Sequence, residues 1–335
     1  MTLNRPIIIA EAGVNHNGSL QTALRMVDAA ADANVDYIKF QTFKAERLVT
    51  AESRTASYQK NNCDADSQLE MLRGLELGFE DFRTIHDYCA ERNIGFLSTP
   101  FDAESIAFLA SLNMDFFKVP SGEITNLPYL RMVAATGIPP VISTGMSTVA
   151  EIEAALEVFY MAGHSRDGII LLHCNTEYPT PFSDVNLRAM RNMADTFGVP
   201  TGYSDHTRGI EIPIAATALG ACLIEKHFTL DRSMPGPDHV ASLQPDELAA
   251  MVSAIHNVAA ALGSPLKRVS DSERKNIPVA RKSIVAASEI NAGELFSEKN
   301  LTVKRPGSGI SPMRWDEIIG RPAPAHFAPD EPIFI

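Results

Sequence analysis

The 335-residue chain lacks the long apolar segments of a membrane protein. Its uncharged run Ile212–Ile224 stops at 13 residues, where a membrane span needs roughly 20. The N-terminal apolar stretch Pro6–Ala10 is cut off by Glu11, too early for a secretory leader. Cysteine is scarce as well. Cys63, Cys89, Cys174 and Cys222 form no CxxC pair, which excludes a thiolate zinc site and reads as reduced thiols, not a disulfide framework. These features predict a cytoplasmic protein that makes no membrane contact. Clustered Lys and Arg are missing too: 29 basic residues face 41 acidic ones, for a formal net charge of −12. Such a balance excludes nucleic acid and anionic lipid as partners, because both are held by concentrated cations. An anionic small molecule stays possible wherever cations are gathered locally.

At 45% hydrophobic residues the chain can build a sizeable core. Short apolar, β-branched runs alternate with helical patterns about eight times, the signature of βα units around a parallel sheet. The predicted strands are 6–13, 36–41, 94–100, 116–121, 140–145, 168–174, 201–206 and 222–227. Apolar residues at helical spacing predict helices over 20–33, 151–161 and 245–262. Eight such units match an α/β fold of the (β/α)8 TIM-barrel type over residues 1–262. An open doubly wound sheet is the alternative, but no GxGxxG follows the first strand. The polar insertion 42–78 would be a loop over the active face, a lid or an interface element. Residues 263–280 read as a polar linker. Residues 281–335, short strands between turn residues, read as a small β-rich domain that must pack on something larger.

Barrel interiors are filled by branched apolar side chains, so polar residues inside predicted strands are informative. Strand side chains alternate, which puts Lys39 with Gln41, Ser204 with His206, and Glu225 with His227 on shared faces. Lys39 lies between Ile38 and Phe40, and Lys118 between Phe117 and Val119. A salt bridge to Glu11, Glu123 or Glu225 accounts for either lysine alone. Both at strand ends, beside Ser98, Thr99, Ser121 and Ser143, suit a phosphate or carboxylate ligand. His206 and His227 end consecutive strands and can converge on one cation. With only two histidines the site suits octahedral Mn²⁺ first, with Mg²⁺ or Co²⁺ as alternatives, over a closed zinc site. Such a metal polarises a carbonyl.

The stretches IIIAEAGVNHNGS, IKFQTF, FLSTPFD, FKVPSGE, VISTGM, LLHCNTEYPTP, GYSDHT, IEKHFTLDRSMPGPDH and VKRPGSG, in this order, resemble the sialic acid synthase family over nearly the whole chain. The resemblance implies a metal-dependent condensation of phosphoenolpyruvate with an N-acylated mannosamine-type sugar, giving a nine-carbon 2-keto acid. It implies that residues 281–335 form an antifreeze-like (SAF) domain, and that His206 and His227 hold the metal. Lys39, Lys118, Ser121 and Ser143, with Thr99 and Gln41, would surround phosphoenolpyruvate. Glu11 and Glu123 would do acid–base work or bind sugar hydroxyls, while Ser204, Tyr178, Glu225 and Asp238 line the site. Arg305 would enter the partner's active site in a domain-swapped homodimer and contact the N-acyl group.

One departure bears on the sugar. Where neuraminate synthases carry an asparagine that contacts phosphoenolpyruvate, this chain has Thr176, between Asn175 and Glu177; Arg281 stands where they can carry an aromatic residue. With SQLEML, GEITNLPYL and TEYP, these features look most like the branch that makes N,N′-diacetyllegionaminate. N-acetylmannosamine or a pseudaminic acid precursor are the alternative sugars. A carbohydrate-binding protein with a vestigial barrel is the non-enzyme alternative, against which the intact set Glu11, Lys39, Lys118, His206 and His227 argues.

Overall fold

A computed structural model describes residues 5–50, 53 and 67–335. The chain divides into two compact units, residues 1–263 and 264–335. In the first, eight parallel strands follow one another with helices between them: β1 (Ile7–Gly13), β2 (Tyr37–Thr42), β3 (Gly95–Pro100), β4 (Phe117–Val119), β5 (Pro140–Ser143), β6 (Ile170–His173), β7 (Thr201–Asp205) and β8 (Leu223–His227). Sequence neighbours are hydrogen-bonded except β3 and β4, which lie side by side, and β1 also pairs with β8. This is the predicted (β/α)8 barrel. All eight predicted strands form, but β4 and β5 end two residues early and β6 ends one residue early. Ser121 sits in a 3-10 turn, Ser121–Glu123, and Gly145 and Cys174 lie in loops beyond their strands.

The helices close over the sheet because their apolar stripes have nowhere else to go. Leu20–Asp32 starts where the Ser19 hydroxyl accepts the Thr22 amide, and it buries Ala23, Met26, Val27 and Ala30. Val149–Met161 starts at a Thr148/Glu151 capping box, two residues before the predicted start, and buries Ile152, Ala155, Leu156 and Phe159. Pro245–Leu262 has the predicted bounds. Gly202 in β7 shows how tight the layer is: a Cβ there would collide with the Leu223 carbonyl and stand 2.8 Å from Leu172.

The insertion 42–78 is not structureless at its ends. Ala45–Leu48 and Gln68–Leu75 are helical and pack Ala45, Met71, Leu72 and Leu75 against Val14 and Phe43 above the sheet. The centre of the expected lid lies outside the described residues. Among the described residues no helix is long and apolar enough to cross a membrane.

In the second unit, β9 (Ser283–Ala286) and β10 (Leu301–Lys304) pair antiparallel, and Val285, Ile290 and Leu295 make isolated bridges to Pro332, Phe327 and Pro322. Its core is Ile284, Ala286, Ile290, Phe296, Leu301, Ile318, Ala323, Phe327 and Ile333. The expected linker 263–280 carries two single-turn helices, Asp271–Arg274 and Ile277–Ala280, the first capped by Ser270 and Glu273. That capping box was readable as Ser-x-x-Glu in a stretch otherwise judged by its polarity alone.

Candidate active site

Parallel strands all deliver their C-terminal residues to one end of the barrel, so side chains far apart in sequence become neighbours by register. Glu11 on β1 is level with Lys39 on β2 and His227 on β8, Gln41 with Thr99, and Ser204 with Glu225. They line a cavity of about 210 Å³ together with Lys118, Ser121, Ser143, Thr176, Tyr178 and His206.

The two lysines are only 2% and 5% exposed and survive burial because carboxylates surround them. Lys39 is ion-paired with Glu11, lies 3.6 Å from Glu225, and donates to Thr99 Oγ1 at 3.1 Å. Lys118 donates to Ser143 Oγ at 2.7 Å and lies 3.8 Å from Glu225, which accepts from Ser204 Oγ at 3.0 Å. Burial lowers the affinity of Lys39 for its proton, but Glu11 and Glu225 outweigh it and hold the ammonium above its ordinary pKa. For Lys118 burial wins, and its pKa falls. Burial lifts Glu11 to about 7 despite Lys39, whereas Glu225, facing both lysines, is held below the usual carboxylate range against the pull of burial. Two neighbouring carboxylates are thus pushed apart, as acid–base roles require.

Anion-binding donors continue beyond the strands. Ser121 Oγ accepts the Gly145 amide at 3.0 Å, and a Cβ on Gly145 would stand 2.7 Å from Thr176, 2.8 Å from Ser121 and 3.1 Å from Cys174, so glycine keeps this wall open. Met146 holds φ at +61°, a strained value for a side-chain-bearing residue, and its side chain reaches the cavity rim. Cys174, Met146, Phe101 and Pro120 are lining residues that sequence reasoning missed. Only Cys174 carried a signal, the period-two spacing from Leu172.

The two imidazoles stand 5.4 Å apart between centroids, and Tyr178 stacks on His206 at 4.0 Å. His206 Nδ1 donates to the Asn175 carbonyl, which leaves Nε2 with its lone pair free. Burial lowers His206 to about 4 and His227 well below its ordinary value, so both are neutral, as metal ligands must be. His227 Nδ1 is buried without a hydrogen bond; the nearest carboxylate, Asp238 Oδ2, is 4.0 Å away. Among the described residues no group of three or more His, Cys, Asp or Glu is arranged to hold a metal. A cation would therefore rest on two imidazoles and on oxygens from water or substrate, and the donor set fits that.

Other candidates lie apart from this ring. Glu123 is in the turn after β4, where it accepts from Asn126 at 2.6 Å. Asp238, pushed up to about 6 by burial, sits in the loop after β8 behind His227. His16, His173 and His239 are engaged elsewhere, with the Gly18 amide, the Val185 carbonyl and Thr229 respectively. Arg305 belongs to the second unit, on the exposed loop after β10.

Against known proteins, the NeuB family model matches residues 26–267 and the SAF domain model matches 281–334. The chain is 50% identical to N,N′-diacetyllegionaminic acid synthase of Campylobacter jejuni, over 98% of this chain and 99% of that protein. It is 46% identical to the protein of that name from Legionella pneumophila, covering 93% and 89%. Among solved structures, the N-acetylneuraminic acid synthetase of Leptospira borgpetersenii in complex with citrate superposes with a TM-score of 0.72 at 35% identity, covering 82% and 91%.

Proposed function

We propose that this chain, which belongs to the NeuB family, condenses phosphoenolpyruvate with a 2,4-diacetamido-2,4,6-trideoxymannose to give N,N′-diacetyllegionaminate and phosphate. The observation that carries this reading is the pair of buried lysines, Lys39 and Lys118, held by carboxylates and hydroxyls beside two neutral imidazoles at one barrel mouth. The choice of sugar rests on the two relatives at 50% and 46% identity and on Thr176, which replaces the asparagine of neuraminate synthases.

Lys39 and Lys118, with Thr99, Ser121 and Ser143, bind the phosphate and carboxylate of phosphoenolpyruvate and orient its C3, which matters because the reaction joins two molecules. A divalent cation on His206 and His227, Mn²⁺ first, supplies polarisation of the sugar aldehyde. C3 attacks the aldehyde carbon, the carbonyl electron pair moves onto the aldehyde oxygen, which takes up a proton, and C2 is left electron-poor. Glu11, poised near neutrality, takes the proton of the water that adds at C2. The tetrahedral intermediate then gives up its hydroxyl proton, forms the C2 carbonyl and breaks the bond from C2 to the phosphate oxygen, and the lysines stabilise the departing phosphate. Gln41 belongs with the phosphoenolpyruvate donors, while Glu123, Asp238, Ser204, Glu225 and Tyr178 bind or orient the sugar around this centre. With ¹⁸O in the bridging C2–O–P oxygen, the label leaves with phosphate; label in the keto acid would refute this cleavage.

The reading includes a cytoplasmic, domain-swapped homodimer in which Arg305 of one copy contacts the acyl group in the other's site. Mixing Lys39→Met with Arg305→Ala subunits then restores activity by rebuilding one intact site. Two inactive variants that stay inactive when mixed would rule the swap out.

A further inference from the structure

Directly behind the two imidazoles lies a buried ion pair for which the chemistry above has no use. Strand alternation turns Ser204, His206, Glu225 and His227 toward the barrel interior, so Asp205 and Lys226 point the opposite way, into the layer between sheet and helices. The side chains of both are 0% exposed, and the two residues are level in register across β7 and β8. Lys226 Nζ is paired with Asp205 Oδ2 and also donates to the Thr207 carbonyl at 2.6 Å. Asp205 in turn accepts the Thr207 amide on Oδ1 at 3.1 Å and the Thr207 hydroxyl on Oδ2 at 3.0 Å. The residues on both sides of His206 are therefore tied to the residue immediately before His227.

Stability alone does not explain such a pair. Two fully buried charges lose so much hydration that well-packed apolar residues of similar volume are generally as stable or more so, and the best-attested use of a buried polar pair is to fix register. Here the register being fixed is that of the two histidines. Asp205 closes an Asx turn over His206, which sets where the chain leaves β7. Lys226 pins that turn to β8. The imidazole of His206 is oriented from the other side by the Asn175 carbonyl, but His227 Nδ1 has no hydrogen bond of its own, so its placement depends on its backbone.

We propose that Asp205, Lys226 and Thr207 form a positioning clamp that sets the separation of His206 and His227 and so tunes the affinity of the barrel mouth for a divalent cation. The clamp rests on the reading of the two histidines as the cation's ligands. None of its members touches the cavity, so they are positioning residues and not catalytic ones.

The test is titration of full-length protein with Mn²⁺ alone, followed by the paramagnetic resonance signal of the free ion, beside thermal melting and metal-free phosphoenolpyruvate binding. The paired apolar replacement Asp205→Leu/Lys226→Met removes both charges together. The expected result is a protein that melts near the wild type, binds phosphoenolpyruvate within about twofold, and binds Mn²⁺ roughly 10- to 100-fold more weakly, the scale of lost outer support for metal-ligating histidines. Unchanged Mn²⁺ affinity overturns the clamp, as does an equal loss of Mn²⁺ and phosphoenolpyruvate binding, which would mean general damage to the mouth. If the double variant fails to fold, Thr207→Val removes one hydroxyl contact and leaves the ion pair. It should still weaken Mn²⁺ by several-fold with phosphoenolpyruvate binding intact, and unchanged Mn²⁺ affinity would again overturn the clamp. His206→Ala separates the two levels: Mn²⁺ binding that survives it removes the cation reading itself, whatever the clamp variants do.

Discussion

The mouth of the barrel and the core of the second unit bury side chains for opposite reasons. The core around Ile284, Phe296 and Phe327 contains no charged residue, and its buried polar residues are satisfied: Ser283 donates to the Pro306 carbonyl, and Asn300 to the Leu295 carbonyl and the Glu294 carboxylate. The mouth buries Glu11, Lys39, Lys118, Glu225, His206 and His227 within one small volume, and leaves His227 Nδ1 without a hydrogen bond. A core built for stability would not assemble that set, because desolvated charge costs free energy that apolar packing does not. The difference identifies the mouth as the region maintained for chemistry.

The largest effect should come from making the mouth resemble the other core. Glu11→Leu/Lys39→Met removes a buried ion pair, and turnover should fall by about 10³-fold or more while the melting temperature holds or rises. Retained turnover, or a collapse in stability, would erase the contrast. In the second unit the cost appears as stability: Phe327→Ala, at a fully buried position, should cost about 3–5 kcal/mol in denaturant unfolding of that unit. A cost below ~1 kcal/mol would show that this core is not tightly packed.

A smaller, pH-dependent effect belongs to His16, fully buried beside the mouth with Nε2 unpartnered and its pKa lowered by burial to about 4. The unfolded imidazole titrates near 6.5, so between these values the unfolded chain binds more protons. Stability is then full above pH 6.5, is lost as pH falls toward 4, and changes by ~3 kcal/mol in total. His16→Gln should flatten that segment of the stability curve. An unchanged slope between pH 4 and 6.5 would assign it to other groups.

The barrel was legible in the sequence because each strand is a short apolar run punctuated by inward polar residues, as in YIKFQT and LIEKHF. The ends of β4 to β6 were not, since Ser121, Gly145 and Cys174 continue the apolar pattern while their backbones have already turned. Lys39, Lys118, His206 and His227 stood out as charged or titratable residues in apolar surroundings. Asp205 and Lys226 did not, because an outward charge on a strand ordinarily faces water, and only the helix layer makes it buried. Glu123 carries no such signal of its own: its carboxylate accepts from Asn126 in the turn after β4, outside the residues that line the cavity.

The most direct test is mass spectrometry of the product formed from phosphoenolpyruvate and a panel of N-acylated amino sugars. The account predicts turnover with the 2,4-diacetamido-2,4,6-trideoxymannose ahead of N-acetylmannosamine, and a product mass equal to sugar plus pyruvate. Preference for N-acetylmannosamine would contradict the sugar assignment, and no condensation product with any sugar would contradict the account as a whole.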